Sequence, residues 1–179
     1  MTYNYRVSSS FLFLKSVCLI VILATLGCGN NINPNIEYQD FDSFHNWSGD
    51  NIKISNQASH NGKWSAIIDS SVEYSLTYSI SVASLKLRGY KKVNVKSWVM
   101  MPSMSTDAKL VLTIDNADNK SISWNGKSFK DVVRNPNEWT EISSDLDLTE
   151  APKSANFKIY GWSSNKGTAY LDDIEITYE

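Results

Sequence analysis

From Glu37 to the end of the chain, the apolar pattern has period two almost everywhere and helical spacing nowhere, with turn residues between short apolar runs. Side chains two apart on an extended chain share a face, so this pattern predicts strands with one face in a core and the other outside it. In 74–82, Tyr74, Leu76, Tyr78, Ile80 and Val82 oppose Ser75, Thr77, Ser79 and Ser81. In 93–101, Val93, Val95, Ser97, Val99 and Met101 oppose Asn94, Lys96, Trp98 and Met100. In 109–115, Leu110, Leu112 and Ile114 oppose Lys109, Val111, Thr113 and Asp115, and in 157–162, Phe157, Ile159 and Gly161 oppose Lys158, Tyr160 and Trp162. The last strand offers Ala169, Leu171, Ile174 and Ile176 to the core, and the change of parity at Asp172-Asp173 predicts a bulge. Asn-Gly pairs at 61–62 and 125–126 predict hairpin turns, and 85–88 reads as a short helical turn. An all-β fold, an antiparallel β-sandwich of one domain over 37–179, follows.

No covalent staple helps that sandwich. Both cysteines, Cys18 and Cys28, lie at the N-terminus, which leaves the folded part without disulfides, Cys-type zinc sites or thiol nucleophiles. Arg6 and Lys15 accompany an apolar run, FLFLKSVCLIVILATL (11–26), that closes on Gly27-Cys28. Its uninterrupted part is shorter than the roughly 20 residues a membrane span needs, so 1–27 reads as a secretory signal, with an uncleaved anchor helix as the alternative. The stretch that follows, 28–36, is polar, contains Pro34 and reads as a flexible tether. Thr25-Leu26-Gly27-Cys28 resembles the lipobox of bacterial lipoproteins, with Thr25 where that family has leucine. The resemblance implies that Cys28 is lipidated, that the chain meets a membrane through this anchor only, and that it resides in the bacterial cell envelope, at the outer membrane or cell surface.

Charge and chemistry narrow the function. Seventeen basic and nineteen acidic residues give a net charge of −2 with no basic stripe, which removes support for nucleic-acid binding. His45 and His60 fall in loops and read as surface or turn residues, and no Gly-x-Ser-x-Gly or Glu-x-Asp-x-x-Glu pattern occurs. Asp145 and Asp147 share a side of a strand-like stretch that reads as a solvated edge, so the residues supply no catalytic constellation. Aromatic residues remain, 12% of the chain, with six tryptophans. Trp64 and Trp139 sit at strand entries and read as plugs at the edge of the core. Trp98 and Trp162 lie opposite their strands' aliphatic faces, beside Lys96 and Tyr160. Two readings stay open for them: a platform that stacks on sugar rings, or packing beneath a loop. In the first, Trp98, Tyr160 and Trp162 stack while Lys96, Thr113 and Asp115 orient the ligand.

Four segments, in order, carry a family likeness: FDSFHNW (41–47), SHNGKWS (59–65), KKVNVKSWVMM (91–101), and NEWTEIS with NFKIYGWSSNKGTAYLDDIEI (156–176). Together they resemble carbohydrate-binding modules built on a galactose-binding-like β jelly roll. The resemblance implies a non-catalytic domain that binds a polysaccharide or oligosaccharide. It also implies one structural calcium ion held by Asp42, main-chain oxygen near Lys63, and Asp172, an ordinary capped sandwich end being the alternative. Two other functions stay open: a structural or protein-interaction module of an envelope complex, with a protein partner, and a polysaccharide lyase or hydrolase.

Overall fold

The structure, a computed structural model, describes residues 35–43, 47–48 and 54–179; the expected signal 1–27, the lipidation site Cys28, most of the tether and His45 lie outside the described residues. Its elements are β1 (Ile36–Gln39), β2 (Trp47–Ser48), β3 (Ile54–Ser55), β4 (Ser65–Ile68), β5 (Thr77–Ser81), α1 (Val82–Leu87), β6 (Lys92–Met100), β7 (Ala108–Asp115), β8 (Ser121–Ser128), β9 (Thr140–Asp147), β10 (Asn156–Ser163) and β11 (Ala169–Tyr178). One sheet runs β3-β4-β11-β6-β9, with β1 also paired to β11; the other runs β2-β5-β10-β7-β8. All pairings are antiparallel, and neighbours in space are mostly distant in sequence, as in a jelly roll.

The alternation read from the sequence sets the two inner faces. Val93, Val95 and Val99 of β6, Leu171, Ile174 and Ile176 of β11, Leu110, Leu112 and Ile114 of β7, and Phe157 and Ile159 of β10 are at most 2% exposed. They form one cluster between the sheets. Gly161 belongs to this layer because nothing larger fits: a Cβ there would come within 2.6 Å of Leu171 and 2.7 Å of Ile68. A polar tie joins the sheets as well. Tyr78 of β5 and Tyr178 of β11 hydrogen-bond at 2.6 Å, and the Tyr78 hydroxyl donates to Glu37 at 2.7 Å. Burial pushes both phenols above their ordinary range.

Three local expectations change. The strand predicted over 74–82 is shorter, because the Ser81 hydroxyl accepts the Ser84 amide at 3.1 Å and caps α1, which starts at Val82, ahead of the turn expected at 85–88. Asn125-Gly126 makes no turn: β8 runs straight through it, and the hairpin to β7 closes instead at Asn116–Lys120, with Asn119 at φ 57°. β1 begins at Ile36, the last residue assigned to the tether.

The bulge in β11 forms where the parity change places it. Pairing with β6 slips between Asp172 and Glu175, and Asp173 adopts φ 45°. Before the slip β11 pairs with β4, after it with β1. The Asp172 carboxylate is fully buried and accepts the amides of His60 at 2.8 Å, Asn61 at 3.4 Å and Asp173 at 2.9 Å. Burial raises its pKa from 3.8 to about 6, against the lowering effect of those amides.

Two outcomes follow for stability. Gly161→Val should lower it by about 1–3 kcal/mol through overpacking, read as a fall in Tm on thermal melting. Because the folded state holds the Asp172 proton more tightly than an unfolded carboxyl at 3.8, this group's contribution is fully present below the unfolded value and lost as pH rises through about 6. Denaturant melts at pH 4.5 and pH 7 should show wild type losing about 2 kcal/mol more across that window than Asp172→Asn, since part of the effect of the shift is already spent at pH 4.5.

Candidate functional site

The outer face of the second sheet carries a row of rings. β10 pairs with β7 so that Trp162 lies beside Lys109 and Tyr160 beside Val111, and β7 pairs with β8 so that Thr113 lies beside Trp124 and Val111 beside Gly126. All of these point away from the core, because they alternate with Leu110, Leu112, Ile159 and Gly161. A bridge from Tyr74 to Trp162 adds a further ring at the β5 side. Tyr74 and Trp162 are near parallel, 6.5 Å apart at 20°, and Tyr74 meets Tyr160 edge-on at 5.7 Å. At the other side the Trp124 ring lies over Gly126, where a Cβ would come within 2.1 Å of it. Tyr74 is 51% exposed and Trp124 49%. Tyr160 and Trp162 are half-buried.

Polar groups hold these rings in place. The Trp162 indole N–H donates to Glu73 at 3.0 Å, which fixes the edge of the ring. The Lys109 ammonium stands between two indoles, 5.4 Å from the Trp162 ring centre and 5.9 Å from that of Trp124. Burial, with the nearby Asp115 carboxylate adding to it, pushes the Tyr160 hydroxyl up, which keeps it a neutral donor and acceptor. Beyond Tyr160, Asp115 forms an ion pair with Lys158 at 2.9 Å and accepts the Thr113 hydroxyl at 2.8 Å. Thr113 and Asp115 are buried at 1% and 8% exposure. They lie on the expected face, but they brace β7 against β8 and β10 rather than present free orienting groups.

Trp98 and Lys96 do not join this row. β6 belongs to the other sheet, where Trp98 pairs with Asp172 and Glu141, and Lys96 with Glu175 and Ser143. One face of Trp98 is covered by His60, stacked at 3.9 Å and 10°, and His60 meets Trp139 edge-on at 5.9 Å. The His60 ring is itself held, Nδ1 lying 2.6 Å from Asp173, which also accepts the Tyr38 hydroxyl at 2.6 Å. The expectation that Trp98 and Trp162 share one surface is therefore corrected. For Trp98 the alternative of packing beneath a loop is what the structure contains. Trp64 and Trp139 are partly buried against the core clusters, as their strand-entry positions suggested.

The turn at 59–63 also gathers the residues expected at a calcium ion. Asp42 accepts the Lys63 amide at 3.0 and 3.1 Å through its two oxygens, and Asp172 accepts three amides as described above. Amide N–H groups line these carboxylates, the reverse of the carbonyl and carboxylate cage that calcium takes. Among the described residues no three His, Cys, Asp or Glu side chains converge. The donor set does not fit a calcium site.

The rings that sequence reasoning missed are the two most exposed. Parity with Leu76 predicts Tyr74 inward, but the regular strand starts only at Thr77, and Ser75 pairs irregularly with Gly161 through its amide and hydroxyl, so parity does not carry back to residue 74. Trp124 directly precedes the Asn-Gly pair that predicts a turn, whereas β8 extends through both. Ile122 and Trp124, two apart before Gly126, were the available sign of a strand face.

A groove of about 430 Å³ lies on the outer face of the other sheet, lined by Asn94, Lys96, Ser143, Asp145, Glu175 and Thr177. It contains no ring. Flat ring faces with donors between them suit the apolar CH face of a sugar, and a long glycan needs a platform rather than a pocket.

The fold is similar to the CBM22-2 xylan-binding domain from Paenibacillus barcinonensis, with TM-score 0.54 and 17% identity over 80% of this chain and 99% of that one. It is also similar to the C-terminal family 22 carbohydrate binding module from Clostridium thermocellum, with TM-score 0.55 and 12% identity over 79% of this chain and 91% of that one. No match is found among curated proteins. The family profile described as carbohydrate binding domain matches residues 30–166, and the chain belongs to that family.

Proposed function

We propose that the protein is a cell-envelope lipoprotein whose sandwich binds a polysaccharide without catalysis, through Tyr74, Tyr160, Trp162 and Trp124 on the outer face of the β5-β10-β7-β8 side. The observation that carries this reading is the row of rings itself, fixed by Glu73 and Lys109 and left partly open to solvent. Rings already held in place lose little freedom on binding, so stacking converts into affinity with small entropic cost. Xylan is the first ligand to test, because both structural neighbours above are modules of family 22 and one is named for xylan binding. Absence of catalysis fits the candidate acids: Asp145 pairs with Lys92 at 3.1 Å on the edge strand β9, and Asp115 with Lys158 at 2.9 Å. Asp145 shares the β6–β9 groove with Glu175 but is engaged there by Lys92. The envelope assignment draws on the N-terminal export signal and Cys28.

Affinity electrophoresis in xylan and in a panel of other polysaccharides tests the platform. Trp124→Ala and Tyr74→Ala, at exposed positions, should each weaken retention about five- to ten-fold with Tm unchanged. Trp98→Ala should leave retention intact and lower Tm, since it removes the ring under His60. The reverse pattern would move the site to the other sheet. Cys28→Ala should release the protein from the membrane fraction into the soluble one with the same thermal melt; a membrane-bound variant would show that Cys28 is not the anchor.

A further inference from the structure

We propose that the tip of the sandwich made by the end of α1 and the β9–β10 connection docks on an anionic lipid surface, an inference that rests on the reading of Cys28 as lipidated. The chain as a whole is acidic, with net charge −2, yet this tip gathers Lys86, Arg88, Lys91 and Lys153. Lys86, Tyr90, Lys91, Thr149 and Lys153 line one concavity of about 350 Å³. The acidic neighbours are Glu150, next to Thr149, Asp147, whose charge interacts with Lys86 and Lys92, Glu37, which with Arg88 acts on Tyr178, and Glu179, whose carbonyl accepts the Lys91 and Lys92 amides. Lys86, Lys91 and Lys153 are the charged side chains that line the concavity itself.

Among the cations stands Leu87, 89% exposed, the most exposed large hydrophobic residue described. An aliphatic side chain held out between Lys86 and Arg88, with a tyrosine three residues on, is the combination an interface of headgroups and acyl chains accepts: the leucine enters, the cations meet phosphates. Local structure fixes this display. Lys86 donates its ammonium to the Thr149 carbonyl at 2.8 Å, Tyr90 stacks on Tyr178 at 5.3 Å, and Gly89 takes φ 88°, which turns the chain sharply after Arg88.

The position of the N-terminal segment supplies the second, independent argument. The Asn35 carbonyl accepts the Tyr178 amide at 2.9 Å, and its side-chain oxygen accepts the Tyr90 hydroxyl at 2.6 Å. The polypeptide coming from Cys28 therefore joins the sandwich at this tip. Cys28 precedes Asn35 by seven residues, which span at most about 25 Å when fully extended. A lipid on Cys28 would hold the cations within that distance of the bilayer, so even weak attraction suffices to seat them. Docking also sets orientation. The Val82 amide donates to Ala155, beside Asn156 at the start of β10, and Trp162 lies six residues further along that strand, roughly 20 Å away. The ring end of the platform then faces away from the membrane.

The test uses the full chain expressed in a bacterial host, purified and placed on vesicles. Intact mass reports whether Cys28 carries lipid, separately from docking. Hydrogen exchange is then compared on phosphatidylcholine vesicles and on vesicles with about a third phosphatidylglycerol, each Lys or Arg near such a surface being worth about five-fold in affinity. Exchange over 85–91 should slow at least about five-fold on the anionic vesicles only, and the slowing should vanish in about 0.5 M salt, which screens charge beyond a few ångströms. Lys86→Glu with Lys91→Glu and Lys153→Glu should abolish it, with retention on polysaccharide unchanged. Equal exchange on both vesicles with Cys28 acylated overturns the proposal. Protection by a soluble anionic polysaccharide in place of vesicles also overturns it and assigns the tip to a glycan.

Discussion

The bulge at Asp172-Asp173 lets one strand serve two partners along a single edge. Before it, β11 hydrogen-bonds to β4; after it, to β1, while β6 holds the opposite edge throughout. Because side chains alternate, an extra residue at this point is what keeps Leu171 and Ile174 both facing inward. The bulge needs a residue in the left-handed region at Asp173, at a cost of about 1 kcal/mol for a side chain of this kind. That cost is offset by bonds the bulge alone makes possible, from Tyr38 and His60 to Asp173 and from three amides to Asp172. The turn at 59–63 is thereby clamped over Trp98. The same residue pair thus fixes the register of the last strand, attaches the first, and covers Trp98 on one outer face of the sandwich.

With Trp98 covered, the two sheets present different surfaces. The sheet built on β11 shows charge and hydroxyls around Lys96, Glu141 and Glu175, with its tryptophans turned under the loop. The other sheet shows rings. Its rigidity comes from strands that pair out of sequence order: Trp162 on β10 and Trp124 on β8 are separated by β7, whose Lys109 stands between the indoles. Adjacent strands lie about 4.8 Å apart, so the rings are spaced by the sheet itself and not by flexible loops.

Alternation along each strand was readable because burial acts on one side chain at a time: the inner faces of β6, β7, β10 and β11 lie where period two put them. The bulge was readable too, since two adjacent aspartates cannot both continue an aliphatic face. Sheet membership was not. Trp98 and Trp162 are both outward in a local sense, and only the long-range order β4-β11-β6-β9 against β5-β10-β7-β8 separates them. Such pairings depend on which strands meet across the whole fold, information that a period of two does not hold. Tyr74 and Trp124 failed for nearer reasons, one because Ser75 breaks the strand, the other because Asn-Gly tolerates extended backbone as well as a turn.

Edge strands show how the same surface avoids pairing with other chains while leaving the rings open. β9 ends its sheet with Glu141, Asp145 and Asp147 exposed, and Lys92 pairs with Asp145. β8 ends the other sheet with Lys127 and Asp131 in an ion pair at 3.5 Å, and Asn125 reaches across to the Asp145 carbonyl at 2.8 Å, joining the two edges. Charges at both rims discourage strand addition. Exposed rings occur on both sheets, Tyr74 and Trp124 on one and Tyr38 on the other, and the charged rims flank the row that the proposed glycan would follow.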